Sequence, residues 1–396
     1  MKIAFLEYAF DFNKQVSGGS DICVKNMYKL ISEQHEVSSF KIIDEDNIDA
    51  LIQKLDTFDL VIHNFLKGTF NHDDGILVRI LTSLKHAVTL YIDHDRYPVY
   101  QTFYKQKMKA KVTHACDYIL TYSRLMYEQY FEKNRILSIN NYLNYRDIPW
   151  IDSKRCIDFL YQARISTTKG TIDFYNFLDL LNKKQIKTSN VLVGFGGSPA
   201  EIGFKQLPGN ILHIWKDKNR VQYNSDNTFL HVHPFQKDFN ILISTLRASK
   251  FAWNCYRINT KKPENLTMDK GLEGAALESI LCGTIPILNG HQRTLMIEDK
   301  KLEDYYCCLF LDDGNHEKLA QDYMTCLNNY DIYYNNLRYL ASILSNTQKY
   351  RNNYNNIINY CIAAGKQQTA IIKESTYKEL KEKNLRILDK ETECHI

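Results

Sequence analysis

Two glutamates, Glu273 and Glu278, stand five residues apart in the run KGLEGAALESILCGTIPIL (270–288). Gly271 and Gly274 mark a tight turn into a helix that runs through Leu281 and is closed by Cys282-Gly283. The first amides of such a helix have no partner of their own, so those of Gly274, Ala275, Ala276 and Leu277 are available to an anion. The small side chains of Ala275 and Ala276 let a diphosphate come close. On an ideal helix a five-residue step separates two side chains by ~140°, so the carboxylates cannot form a same-face acid–base pair. Glu273, at the helix start, reaches one part of a ligand. Glu278, one turn in, reaches another, and a carboxylate suits ribose hydroxyls. The plain alternative is an N-cap acid followed by a surface acid.

Four other stretches carry chemistry. In QVSGGSDIC (15–23), Gly18 and Gly19 lie between a strand and a helix and permit close backbone approach to an anion. The pattern is neither GxGxxG nor a P-loop, and a plain capped turn is an equal reading. YIDHDRYP (91–98) stacks Asp93, His94, Asp95 and Arg96 at the end of an apolar strand, where His94 and Asp95 can orient or deprotonate an acceptor hydroxyl. YQARISTTKG (161–170) ends a strand with Arg164 and Lys169, two cations suited to a leaving diphosphate, although by themselves they read first as unpaired surface cations. YKQKMKAK (104–111) carries Lys105, Lys107, Lys109 and Lys111, spread around a helix; they serve either as a solvated face or as contacts to a phosphate backbone. His231 and His233 in LHVHPF suggest packing or a base contact more than a metal pair, and no metal site is expected.

These residues need elements to hold them. Strand candidates KIAFLEY (2–8), EVSSFKII (36–43), FDLVIHN (58–64), AVTLYIDHD (87–95) and DYILTYS (117–123) alternate with amphipathic segments such as 21–34 and 103–115. After a Pro149-bearing linker the alternation restarts with CIDFLYQA, a helix from about Thr171 to Asn182, SNVLVGFG, NILHIW, FLHVHPF, KFAWNCY and TIPIL. Strand–helix alternation predicts parallel sheets. The fold class is therefore α/β, two doubly wound domains facing a central cleft: a first domain (1–150), a second (151–345), and charge-rich helices (346–396) packing back on the first. The chain has 396 residues, 44% hydrophobic and 24% charged, with a net charge of +4, ordinary for a soluble protein and no announcement of nucleic acid. The ten cysteines show no CxxC pair and suggest buried, reduced thiols. No apolar run approaches a bilayer span. No membrane contact, a cytoplasmic location and a monomer are expected.

The glutamate segment resembles the donor motif of retaining GT-B glycosyltransferases, in which two glutamates precede a Cys-Gly-x-Pro type turn. Their usual spacing would put the first glutamate at position 270, where this chain has Lys270. The five-residue spacing is instead similar to that of the T-even phage DNA α-glucosyltransferases. SGGSD, YIDHDRY, Arg164 with Lys169-Gly170, and GFGGSPAEI (194–202, with Gly194 and Ser198) resemble that family's elements in the same order. The resemblance implies retaining transfer from a UDP-sugar to the hydroxymethyl oxygen of 5-hydroxymethylcytosine in double-stranded DNA, in the cytoplasm of a phage's host. Glucose is the family's sugar, with arabinose or another left open. It implies Glu273 at the donor sugar, Glu278 at the ribose, Arg164 and Lys169 at the diphosphate, His94 and Asp95 at the acceptor, and Arg96, Lys105 and Lys109 at DNA. No cofactor is required, and Mg²⁺ is at most an aid to product release. A GT-B enzyme acting on a surface glycan or a small acceptor would share the donor half. A non-catalytic nucleotide-sugar or DNA-binding module is the reading of another class.

Overall fold

The computed structural model of the chain describes residues 1–7, 19–42, 47–64, 74–93, 112, 115–121, 136–138, 145–164, 169–195, 221–224, 228–234, 238–255, 272 and 274–366. Two compact units emerge. The first uses the described residues from Met1 to Tyr145 and again from Thr347; the second uses those from Arg146 to Asn346.

The first unit holds six parallel strands: β1 (Lys2–Glu7), β2 (Glu36–Lys41), β3 (Leu60–Asn64), β4 (Val88–Asp93), β5 (Tyr118–Thr121) and β6 (Ile136–Ser138). Their order is β2-β1-β3-β4-β5-β6. Apolar side chains cover both faces of these strands, as a parallel sheet wrapped by helices demands. Ile3 and Phe5 join one core with Val24, Met27, Leu30 and Ile31 of helix α1 (Gly19–Ser32). Ala4 and Leu6 join the opposite core with Leu51 and Leu55 of α2 (Ile48–Leu55) and Leu77, Ile80 and Leu81 of α3 (Asp74–Ser83). The helix Thr347–Ala364 packs into the first of these cores through Tyr350, Tyr354, Ile358 and Cys361, one stripe at helical spacing. Its end is tied down as well. Tyr118 donates from its hydroxyl to the Gly365 carbonyl at 2.9 Å, and Lys366 lies 3.3 Å from the buried Asp117 carboxylate.

The second unit holds seven strands: β7 (Ile157–Arg164), β8 (Thr188–Phe195), β9 (Val221–Asn224), β10 (Thr228–Pro234), β11 (Ser249–Trp253), β12 (Ile285–Asn289) and, after the small hairpin β13 (Met296–Ile297) and β14 (Lys300–Lys301), β15 (Leu309–Leu311). The order is β15-β12-β11-β7-β8-β10-β9, parallel except for β9 against β10. The helices are α4 (Thr171–Lys183), α5 (Phe239–Arg247), α6 (Gly274–Leu281), α7 (His316–Asn328) and α8 (Tyr330–Leu344). Phe159, Phe177, Phe251, Trp253 and Tyr323 interlock at ring distances of 4.9 to 6.4 Å and fill the core.

Most strand candidates fall where their patterns placed them, with ends trimmed. EVSSFKII pairs only through Lys41, and the helix from Thr171 runs to Lys183. NILHIW lies outside the described residues. The short strands β6, β9 and β15 escaped the pattern, because three or four residues are too few to show a period. The nine described cysteines are all free and eight are buried. No described helix is long and apolar enough to cross a membrane. Among the described residues, no group of three or more His, Cys, Asp or Glu could hold a metal ion.

Candidate functional site

In a doubly wound sheet, ligands bind beyond the carboxyl ends of the strands, where successive connections leave in opposite directions. In the second unit that point lies between β7 and β11: β8 and β10 follow on one side, β12 and β15 on the other. Arg164 is the last residue of β7, and Gly194, paired with Ala163 of β7 and Pro234 of β10, is next to last in β8. Both backbones therefore sit at this edge. The Arg164 side chain and Ser198 lie outside the described residues.

Lys169 and Gly170 carry the chain from this edge into α4. Gly170 caps the helix with φ of +65° and no side-chain cap. A Cβ there would collide with the Cys255 carbonyl oxygen just past β11, so only glycine allows the turn to sit this low. The Tyr161 hydroxyl fixes the turn by donating to the Lys169 carbonyl at 3.1 Å and pairing with Thr171 Oγ1 at 2.7 Å. The Trp253 indole N–H, buried beside Gly170, has no hydrogen-bond partner among the described residues. Asp173, in the first turn of α4, stands 4.0 Å from His316 Nε2. Burial pushes the His316 imidazole below its usual range, and Asp173 opposes that; burial, then Asp173, push the Cys255 thiol well up. Neither is poised as a nucleophile or a physiological acid.

Helix α6 supplies the second wall. Its Ser279 is level with Asn254, one residue past β11, whose Nδ2 donates to Ser279 Oγ at 3.2 Å. Gly274 lies five residues earlier, or ~7 Å along the axis. The amides of Gly274, Ala275, Ala276 and Leu277 thus project beyond the strand ends, as an anion-binding helix start requires. Glu273 is outside the described residues.

Glu278 is not a surface acid. Its side chain is 8% exposed, and Oε1 accepts from Nε of Arg146 at 3.0 Å, Arg146 itself being 1% exposed. Burial raises the Glu278 carboxyl above its ordinary range, and the charge and hydrogen bond of Arg146 restrain the rise. Gly274 makes room for the arginine: a Cβ there would sit 2.5 Å from Arg146 Nη2. The far end of α6 is a different construction. Gly283, at φ +73°, closes a Schellman turn in which Thr284 N–H reaches the Ser279 carbonyl and Gly283 N–H the Ile280 carbonyl. Arg155 ties the turn down, donating to the carbonyls of Cys282 and Ser249 and to Thr284 Oγ1. Cys282-Gly283-Thr284 therefore lies at the amino edge of the sheet and fixes the helix, away from the ligand edge.

In the first unit the corresponding point lies between β1 and β3. Gly19 is the first residue of α1; Gly18 and the side chains around it are outside the described residues. His94, Asp95, Arg96, Lys105 and Lys109 also lie outside them. Two buried groups drew no attention in the sequence. Glu7, 3% exposed, ends β1 at the ligand edge. His63, fully buried on β3, stacks on Tyr91 at 5.1 Å and places Nε2 2.9 Å from Cys116 Sγ. Burial depresses its pKa to about 3, so it is neutral and packs rather than shuttles protons. Arg146, the partner of Glu278, was also missed: in RDIPWID it looks like a linker cation, and nothing in its neighbours signals burial.

Two doubly wound parallel sheets are the architecture of the GT-B fold. Solved structures agree. An α-glucosyltransferase in complex with UDP-glucose and DNA containing an abasic site matches with a TM-score of 0.62 at 17% identity, over 91% of this chain and 99% of that one. HepE from Anabaena, in complex with UDP, matches at 0.58 and 14%, over 91% and 100%. AviGT4, a glycosyltransferase involved in avilamycin A biosynthesis, matches at 0.54 and 13%, over 93% and 99%. The sequence itself matches no family model and no curated protein.

Proposed function

We propose that the protein is a retaining DNA glycosyltransferase that moves a sugar from a UDP-sugar to the hydroxymethyl oxygen of 5-hydroxymethylcytosine. The observation that carries the reading is the start of α6, where first-turn amides that have no partner within the helix and a buried Glu278 stand together at the ligand edge. It is supported by the fold likeness to an α-glucosyltransferase bound to UDP-glucose and DNA, over nearly the whole of that chain. In this reading the α6 amides, Arg164 and Lys169 take up the charge that grows on the diphosphate as the sugar C1–O bond breaks. Glu278 accepts from the ribose and Glu273 from the sugar. The acceptor oxygen bonds to C1 and gives up its proton on the side where His94 and Asp95 act. Arg96, Lys105 and Lys109 hold the DNA backbone, and extruding the target base costs a few kcal/mol. Neutralisation by cations and amides asks for no metal, and transfer is expected to survive EDTA.

The test is mass spectrometry of nucleosides from hydroxymethylcytosine DNA incubated with the protein and a panel of UDP-sugars. A mass increase of one sugar on hydroxymethylcytosine is expected, with arabinose in the panel beside glucose. No incorporation from any donor sinks the DNA reading. A second reading, transfer to a glycan or small-molecule acceptor, is favoured by the likeness to HepE and AviGT4. It predicts UDP binding and slow UDP-sugar hydrolysis with no product on DNA. DNA affinity that stays flat between low and moderate salt also argues for it.

A further inference from the structure

We infer that Arg146 is a positioning residue for the nucleotide: it holds one oxygen of Glu278 so that the other is presented to a ligand hydroxyl at the mouth of α6. This rests on the donor reading above. The contact between the two residues is single, from Nε to Oε1. An arginine that only neutralises a carboxylate commonly engages both oxygens with its fork. Here, among the described residues, Oε2 takes no hydrogen bond, while the side chain keeps 8% of its surface open. Helical side chains lean toward the N-terminus of their helix, so Glu278 leans toward the ligand edge, where Gly274 begins the same helix one turn earlier.

A purely structural role fits poorly. Removing two charges from water is costly, and apolar side chains of the same volume would fill the space as well. The pair also sets a cation at the positive end of a helix, the unfavourable end for it. A buried positive charge beside first-turn amides is nonetheless what a bound diphosphate meets with profit, and it opposes the rise that burial imposes on the Glu278 carboxyl, favouring its accepting form. Gly274 serves the same arrangement, because any side chain there would displace the guanidinium. The ligand chemistry this selects is a hydroxyl donor next to a phosphate, as on a ribonucleoside diphosphate.

The test uses the full chain and titration calorimetry with UDP and with its 2′-deoxy and 3′-deoxy analogues. Wild-type protein should bind UDP and lose about tenfold in affinity for at least one deoxy analogue, the cost of an unmade hydrogen bond to a charged group. Arg146→Gln should weaken UDP about tenfold and abolish that discrimination. Arg146→Lys should recover most of the loss. Gly274→Ala, which moves the arginine without altering either charge, should behave as Arg146→Gln and keeps the test decisive if that variant does not fold. Combined with Glu278→Gln, Arg146→Gln should cost nothing further. Full discrimination in folded Arg146→Gln or Gly274→Ala overturns the inference, and so do losses that multiply in the double variant. Wild-type protein that binds no UDP overturns the donor reading itself, and this inference with it.

Discussion

Helix α6 is held by an arginine at each end, and the two ends obey opposite rules. At the start, Arg146 is buried against Glu278 and faces the positive end of the helix. At the finish, Arg155 donates to the Cys282 carbonyl, where a cation complements the helix dipole, and its other bonds satisfy Ser249 and Thr284. One end retains an electrostatic arrangement that stability alone would not select. The other is made for stability. A single eight-residue helix thus separates binding from anchoring by its length, with the Schellman turn at one edge of the sheet and the first-turn amides at the other.

Breaking the first end should have the largest effect. Glu278→Leu removes the buried carboxylate that accepts from Arg146 Nε and is expected to cost about 3–5 kcal/mol in urea unfolding, whereas Arg146→Met with Glu278→Leu should recover most of that. Equal losses in the single and double variants would mean that the pair carries net stability. At the other end, Arg155→Ala removes hydrogen bonds to two carbonyls and a hydroxyl and should cost about 2–3 kcal/mol. UDP affinity of the molecules still folded should be unchanged, and weakened binding would show the two ends to be coupled. Because the helix lies wholly in the second unit, its melting must be separated from that of the first, and His63 provides the marker. With a folded pKa near 3 and an unfolded one near 6.5, the unfolded chain takes up the proton and the folded chain does not. Stability of the first unit should therefore fall by about 2 kcal/mol between pH 7 and pH 5. His63→Phe should remove that slope, and a slope that persists would assign it to other groups. The smallest effect belongs to Gly283→Ala. It places a Cβ at positive φ, 2.5 Å from Arg155 Nη2 and 2.9 Å from the Trp150 ring, worth about 1–2 kcal/mol if both side chains yield. A loss as large as that of Arg155→Ala would show that they do not.

The alternation of strands and helices was legible because each buried parallel strand is a short continuous apolar run, as in LVIHN and IPILN. Eight of the nine described cysteines are buried as their pattern predicts, whereas Cys156, just before β7, is exposed. Of the site, the sequence located α6 and its closing glycine, since both obey local backbone rules. Cys282-Gly283-Thr284 looked like part of a binding motif and is an anchor, and the sequence could not say which end of the sheet the turn would reach. Arg146 was invisible altogether. Its partner lies 132 positions away, and a buried arginine carries no periodic mark.

By itself, then, the chain determined its elements: two sets of parallel strands, and a helix that begins near Gly274 and is closed by Cys282-Gly283. These follow from pattern and backbone conformation, which act over a few residues. Only the tertiary structure decided that Glu278 points inward, that its charge is met by Arg146, and that Gly274 exists to let the guanidinium in. Burial and charge pairing depend on which distant segments share a dielectric and a few ångströms of space, and no local pattern encodes that.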